Sequence, residues 1–143
     1  MPVNGFSVGR DVTLDVVGAS GPLRFGLVTK FTSKPDIQDQ KIKGLDGITR
    51  HVRFPDGWSG SFDVERMNDV LDNYFAQLED NYYAGTNEQP CTITETITEP
   101  DGSLSQYRYE GVLLKLDDAG DWEGAKTVKQ KVSFVATRRK MIA

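Results

Sequence analysis

Apolar and polar residues alternate through much of this chain. In "DVTLDVV" (11–17), Val12, Leu14 and Val16 fall on one side. In "LRFGLVTKF" (23–31), Leu23, Phe25, Leu27, Thr29 and Phe31 do so, and in "WSGSFDVE" (58–65) Trp58, Gly60, Phe62 and Val64. "CTITETIT" (91–98) sets Cys91, Ile93, Glu95 and Ile97 against an unbroken row of Thr92, Thr94, Thr96 and Thr98. A period of two is that of a half-buried β-strand. "PDGS" (100–103) has turn chemistry, so 91–99 and 103–110 are expected to pair as a hairpin. Gly111 before "VLLKL" predicts a bulge where that strand bends. "KTVKQKVSFVA" (126–136) reads as the last strand, with Val128, Val132, Phe134 and Ala136 inward, before a short basic tail, "TRRKMIA".

One segment changes period. Met67, Val70, Leu71, Tyr74, Phe75, Leu78 and Tyr82 recur at spacings of three and four, which predicts a helix over 66–83 with one apolar stripe. Asp63 is a candidate N-cap and Gly85 follows the end. Asp69, Asp72, Asn73, Glu79 and Asp80 leave the other face acidic. The core is therefore expected to include Met67, Val70, Leu71, Tyr74, Phe75, Leu78 and Phe134. Residues 35–56 are different again: polar, with scattered apolar positions and a Gly-Leu-Asp-Gly centre. They read as two extended arms joined by a turn at 44–47, with "PDGW" (55–58) as a further turn. About eight strand segments and one helix give a mainly β fold: an antiparallel β-sandwich or barrel with one flanking α-helix and a long protruding hairpin.

The 143 residues suit one domain, 1–143, and no apolar run is long enough to span a bilayer. The start lacks the layout of a secretory signal, and a lone cysteine fits a reducing place of synthesis. Residues 1–60 hold eight basic and six acidic side chains, 61–125 three and fifteen, and 126–143 six and none. Such asymmetry suits unlike surfaces meeting between copies.

Candidate chemistry is sparse. With one histidine, His51, and one cysteine, Cys91, a His/Cys metal site lacks ligands. Cys91 reads as a buried thiol. "DDAGDWE" lacks the ligand spacing of a calcium loop, and no glycine-rich phosphate loop is present. Tyr107 and Tyr109 alternate with Arg108, which separates aromatic from basic groups where a nucleic-acid surface would combine them. No enzyme, no cofactor and no metal are expected. Self-assembly fits the long polar hairpin and charged ends best, with a ligand-binding β-barrel as the alternative.

The ordered set "VGRDVTLDVV", "LVTKF", "GLDGITRHVRFPDGWSGSFDVERMNDVLDNYFAQLEDNYYAG" and "ITETITEPDGSLSQYRYEGVLLKLDDAGDWEGAKTVKQKVSFVATRRK" resembles the tail tube proteins of contractile-tailed bacteriophages. Type VI secretion and bacteriocin tubes are related to these. The resemblance implies hexameric rings whose inner sheets join into one β-barrel, stacked into a hollow tube for genome ejection. It implies as partners the chain itself, the sheath, the baseplate or tube initiator, the terminator, and tape-measure protein and DNA in the lumen, with no membrane insertion. The location would be the virion, after assembly in the host cytoplasm; a tube initiator of the same fold is the close alternative. On this reading Ile37, Lys41, Lys43, Leu45, Asp46, Arg50, His51, Arg53, Arg138 and Arg139 contact neighbouring copies. Thr92, Thr94, Thr96 and Thr98 face the lumen, within an acidic surround that repels DNA phosphates.

Overall fold

The computed structural model describes residues 4–18, 21–24 and 26–142. Phe25 and the centre of the 18–22 turn lie outside them. Among the described residues the chain forms eight strands and one α-helix. The strands are β1 (Val12–Gly18), β2 (Gly21–Pro22), β3 (Leu27–Lys43), β4 (Thr49–Glu65), β5 (Cys91–Thr98), β6 (Leu104–Asp118), β7 (Lys129–Ala136) and β8 (Arg138–Met141). The helix, α1 (Val70–Tyr83), lies between β4 and β5. All pairings are antiparallel, in the order β2–β1–β5–β6–β7–β4–β3, with β8 also on β6.

This sheet folds back on itself at β6. Residues 104–112 of β6 pair with β5, and residues 113–118 pair with β7. The switch falls at Gly111, which has φ +64 and a register shift opposite Cys91/Ile93. A Cβ at Gly111 would also strike the Thr137 side chain, and Thr137 is where β7 gives way to β8. The two neighbouring strands bend together, so the expected bulge at Gly111 is the corner between two layers. The "TRRKMIA" tail is not a loose end: its residues 138–141 are β8, paired with residues 107–110.

Between the layers, Phe31 stacks on Phe134 with centroids 5.7 Å apart. Tyr109 meets the edges of both, at 6.1 and 5.6 Å, and that of Trp58 at 6.0 Å. Tyr109 is fully buried, and its hydroxyl donates to Ser33 Oγ at 2.9 Å. Gly60 is needed here, because a side chain would run into the Phe134 ring and the Thr32 carbonyl. Val16, Phe62, Val64, Ile93, Val112, Leu114 and Val132 complete the core.

Three expectations require correction. The stripe through Leu27, Thr29 and Phe31 is broken by a bulge between Val28 and Lys30, so Val28 and Phe31 pack inward while Leu27 is exposed. "PDGW" is not a turn but part of β4, with Gly57 at φ +88 opposite the register shift at Pro35/Ile37. The helix begins at Val70, not 66, and Asp63 is a strand residue, not its cap. The Arg66 N–H is held by the Val128 carbonyl at 2.8 Å, which ties residue 66 to the end of the sheet. Met67 is therefore 75% exposed and outside the core. The N-cap position is Asp69, and Asn68 Oδ1, one residue earlier, accepts from the free Val70 N–H at the start of the helix.

From α1, Leu71 is buried, Tyr74 and Phe75 pack against the core, and Val70 and Leu78 are half-buried. Asp72 accepts from Arg66 (2.9 Å) and from the buried Gln130 (2.8 Å), fixing the first turn to the start of β7. Leu71→Ala is expected to lower unfolding free energy by about 2–5 kcal/mol. Met67→Ala should change it by less than about 0.5 kcal/mol, as for other exposed sites. Chemical denaturation checks both, and equal costs would mean that α1 is not anchored through its buried stripe.

Candidate assembly surfaces

The β3–β4 hairpin is longer than the body that carries it. Residues 58–65 of β4 pair with β7, but residues 37–55 extend beyond it with only each other as strand partners among the described residues. The tip turn is closed by Gly47 N–H to Gly44 O (3.0 Å) and by Gly44 N–H to Ile48 O (3.2 Å). Asp46 accepts from Ile48 N (3.0 Å) and from Arg50 (3.1 Å). Cross-strand pairing sorts the arm into two faces. Ile37, Asp39, Lys41 and Lys43 lie with Arg53, His51 and Thr49, whereas Gln38, Gln40 and Ile42 lie with Phe54, Val52 and Arg50. The structure thus groups Ile37, Lys41, Lys43, His51 and Arg53 on one face, puts Arg50 on the other, and leaves Leu45 and Asp46 at the tip. Arg53 pairs with Asp39 and Arg50 with Asp46, both at 3.1 Å and both exposed. Leu45 is fully exposed, and Phe54 and Ile48 are about half exposed. Such apolar positions on a polar arm are open to solvent.

The two arginines of the tail divide. Arg138 is exposed on β8 opposite Glu110. Arg139 alternates to the inner side, where its side chain is 23% exposed. Its guanidinium lies 3.7 Å from the Tyr107 ring centroid and 4.7 Å from that of Trp58, and Nη2 donates to Glu95 at 3.4 Å. Glu95 is buried. The sequence showed it as the one charged residue on the apolar side of β5, but not its partner, which lies 44 positions away. This group joins β4, β5, β6 and β8 at the root of the arm.

Thr92, Thr94, Thr96 and Thr98 do share the outward side of β5, and all are half-buried. Thr13, Asp15 and Val17 flank them from β1, and Leu104, Gln106 and Arg108 from β6. Thr96 Oγ1 accepts from Gln106 at 3.2 Å. The acidic side chains of the middle region sit instead on exposed α1 positions, such as Glu79 and Asp80, and in the loop after β6. Moreover, β5 is an interior strand with β1 and β6 on its two sides, so it offers no edge to another copy.

The layer formed by β6, β7, β4 and β3 offers two. Among the described residues β3 pairs only with β4, and residues 113–118 of β6 pair only with β7. Free strand edges invite pairing unless they are covered. The outward side of this layer is an open concavity of roughly 610 Å³ lined by residues of all four strands. Across it run the rows Lys30–Asp63–Lys131–Asp118, Thr32–Ser61–Ser133–Lys115 and Lys34–Ser59–Val135–Leu113. The threonine row drew attention away from this hydroxyl row. Its signal was the repeat of Lys129, Lys131, Ser133 and Val135 on one side of the last strand.

His51 lies on the exposed arm and Cys91 is buried in the core, so the structure does not bring them together. Burial pushes the Cys91 thiol pKa up, against the lowering effect of its 2.9 Å contact with the Tyr74 hydroxyl. No cluster of three or more His, Cys, Asp or Glu among the described residues is arranged to hold a metal ion. No helix among them is long and apolar enough to cross a membrane.

This mainly β, antiparallel fold with one helix is similar to that of chains of contractile injection systems. A chain of the anti-feeding prophage cap, its tube terminating cap, aligns with TM-score 0.67 and 9% identity, over 99% of this chain and 94% of that one. A chain of the sheath–tube complex of the PVC extracellular contractile injection system aligns with TM-score 0.62 and 12% identity, over 91% and 88%. A chain from the sheath/tube terminator of the PVC system gives 0.58 and 13%, over 100% and 98%. At these identities the likeness is one of fold, and it matches the fold that the resemblance to contractile-tail tube proteins implied. Neither the known family models nor the curated proteins match the sequence.

Two measurements follow from these surfaces. Arg139→Ala should destabilise the chain by about 3 kcal/mol, the low end for breaking a buried pair because its side chain keeps some solvent contact. Arg138→Ala should cost less than about 0.5 kcal/mol, so similar losses in thermal unfolding would refute the division. The Ile48 N–H bond holds the Asp46 carboxyl below its ordinary pKa. A depressed folded pKa stabilises the turn above the ordinary carboxylate range, and that contribution is lost as pH falls through the folded value. The Ile48 amide NMR signal should therefore shift with a midpoint below that of a free aspartate, and a midpoint at the ordinary value would remove Asp46 from the turn.

Proposed function

We propose that this chain is a structural subunit of the tube of a contractile tail or injection system. The carrying observation is a four-stranded layer with both edges free and an unpartnered arm projecting from it. Neighbouring copies would cover those edges by pairing side by side, which closes into rings under rotational symmetry. The arm would then reach beyond its own ring, with its apolar positions buried against the next copy. Hexameric rings stacked into a hollow inner tube are the form that the resemblance implies.

In this reading the lumen is lined by the β6–β7–β4–β3 layer, whose outward side is an open concavity and whose end strands each pair on one side among the described residues. The threonine row of β5 moves to the outer side of the tube. Sheath, baseplate or initiator, and terminator are the partners proposed, with tape-measure protein and DNA as passengers of the channel and assembly in the host cytoplasm. A ligand-binding barrel is less well supported: Phe31, Phe62, Tyr109 and Phe134 fill the space between the layers where a ligand would sit.

Negative-stain electron microscopy of the concentrated protein, at low and high salt, tests this. Tubes or stacked rings are expected. Single rings that never stack would assign an initiator or terminator role, and monomers alone at both salts would overturn the reading. Replacing residues 38–52 with an Asn-Gly turn should leave a cooperatively folded chain that makes no tubes. Tubes of normal length from that variant would end the arm's assigned role.

A further inference from the structure

We infer that the outward side of β6 and β8 is a docking surface for an extended, acidic segment of another protein, held by Arg108, Arg138 and Lys140. The inference stands apart from the ring-forming role, because this face belongs to the layer that carries β5 and not to the layer with the free edges.

Its starting point is a broken charge pattern. Among the described residues, nearly every rung that sets two Asp, Glu, Lys or Arg side chains opposite one another joins unlike signs, as Asp39 with Arg53 and Asp63 with Lys131 do. The exception is Arg108, which stands directly opposite Lys140. Like charges in that position repel and cost stability. Both side chains are exposed, and so is Arg138, two residues from Lys140 on the same side of β8. None of the three has an ion pair among the described residues, although Glu110 lies opposite Arg138. A local rule broken on an open surface is the mark of a position kept for a partner.

The spacing defines that partner. Side chains two residues apart on a strand stand about 6.6 Å apart, which is also the spacing of alternate positions in any other extended chain. One carboxylate would bridge Arg108 and Lys140, and the next on the same side would reach Arg138. The floor beside the cations is low. Thr94 is the neighbour of Arg108 on β5, and Thr96 that of Gln106, so short side chains leave room for a backbone to lie along the strip. The uniform threonine row thereby gains a use that needs no channel. Nucleic acid fits less well. Tyr107 and Tyr109 turn inward under Arg139, so no aromatic platform faces out for bases to stack on. Glu110 also sits among the cations, where a continuous run of phosphates would meet it and a segment with spaced carboxylates can pass it.

Fluorescence polarisation of a labelled peptide with Glu and Thr in strict alternation tests this on the full chain at low salt. The peptide should bind, and Arg108→Ser with Lys140→Ser should weaken it by at least about tenfold, as for one lost charge-assisted contact. Lys34→Ser with Lys115→Ser takes the same charge from the other layer and should leave the affinity within about twofold. No binding by the natural chain, or equal losses from the two double variants, overturns the site. A peptide of the same composition with its glutamates in one block should bind more weakly, and equal binding overturns the extended spacing. Thermal unfolding supplies a readout that a structural role would move the other way. Loss of the like-charged pair should leave the melting temperature unchanged or higher, and a lower one would assign Arg108 and Lys140 to the fold. Single-stranded DNA or phosphatidylserine vesicles that displace the peptide would overturn the partner class, as would self-association abolished by the Arg108/Lys140 variant, which would make the partner a second copy. Any of these failures leaves tubes seen by microscopy, and the ring-forming role, untouched.

Discussion

The architecture depends on one bend shared by two strands. At Gly111 the positive φ turns β6 away from β5, and Thr137 packs against the space a side chain would fill. That bend has three consequences. It folds the sheet over, so that Tyr109 from one layer reaches Phe31 and Phe134 in the other. It lets the chain beyond β7 continue as β8 along the first half of β6. It leaves the second half of β6 with a partner on one side only, which creates the free edge on which the assembly proposal stands. A larger residue at position 111 would meet both left-handed strain and a collision with Thr137.

The body and the arm obey different physics. The body is held by dispersion between aromatic rings and by burial of Val, Leu and Ile side chains. The arm has paired backbone but little to bury, since most of its side chains are exposed. An isolated hairpin of this kind is marginal in water. Two devices stiffen it: the closed turn at Asp46 and the cage at its root, where Arg139 bridges Trp58 and Glu95. A charge is retained in that cage because it is both paired and covered by ring faces, which lowers the cost of removing it from water. An arm with a rigid root and apolar side chains near its tip has the form of a part completed by a neighbour.

The sequence alone determined which residues alternate, and therefore most strands. It marked the 91–99/103–110 hairpin, the turn at 44–47, the bulge at Gly111, the burial of Cys91 and the helix stripe around Leu71. These are local properties, set by side-chain period and by the few residues that accept a turn conformation. Tertiary structure decided where a period breaks. The bulge at Val28, the late start of α1 and the continuation of β4 through Gly57 each depend on partner strands distant in sequence. It also decided which strands are interior and which are edges. The uniform threonine row did not reveal that β5 is flanked on both sides, by β1 and β6, and so offers no strand edge. The pairing of Glu95 with Arg139, and the charge rows across β6, β7, β4 and β3, exist only once the sheet closes, because alternation fixes the side on which a residue lies and not what lies beside it.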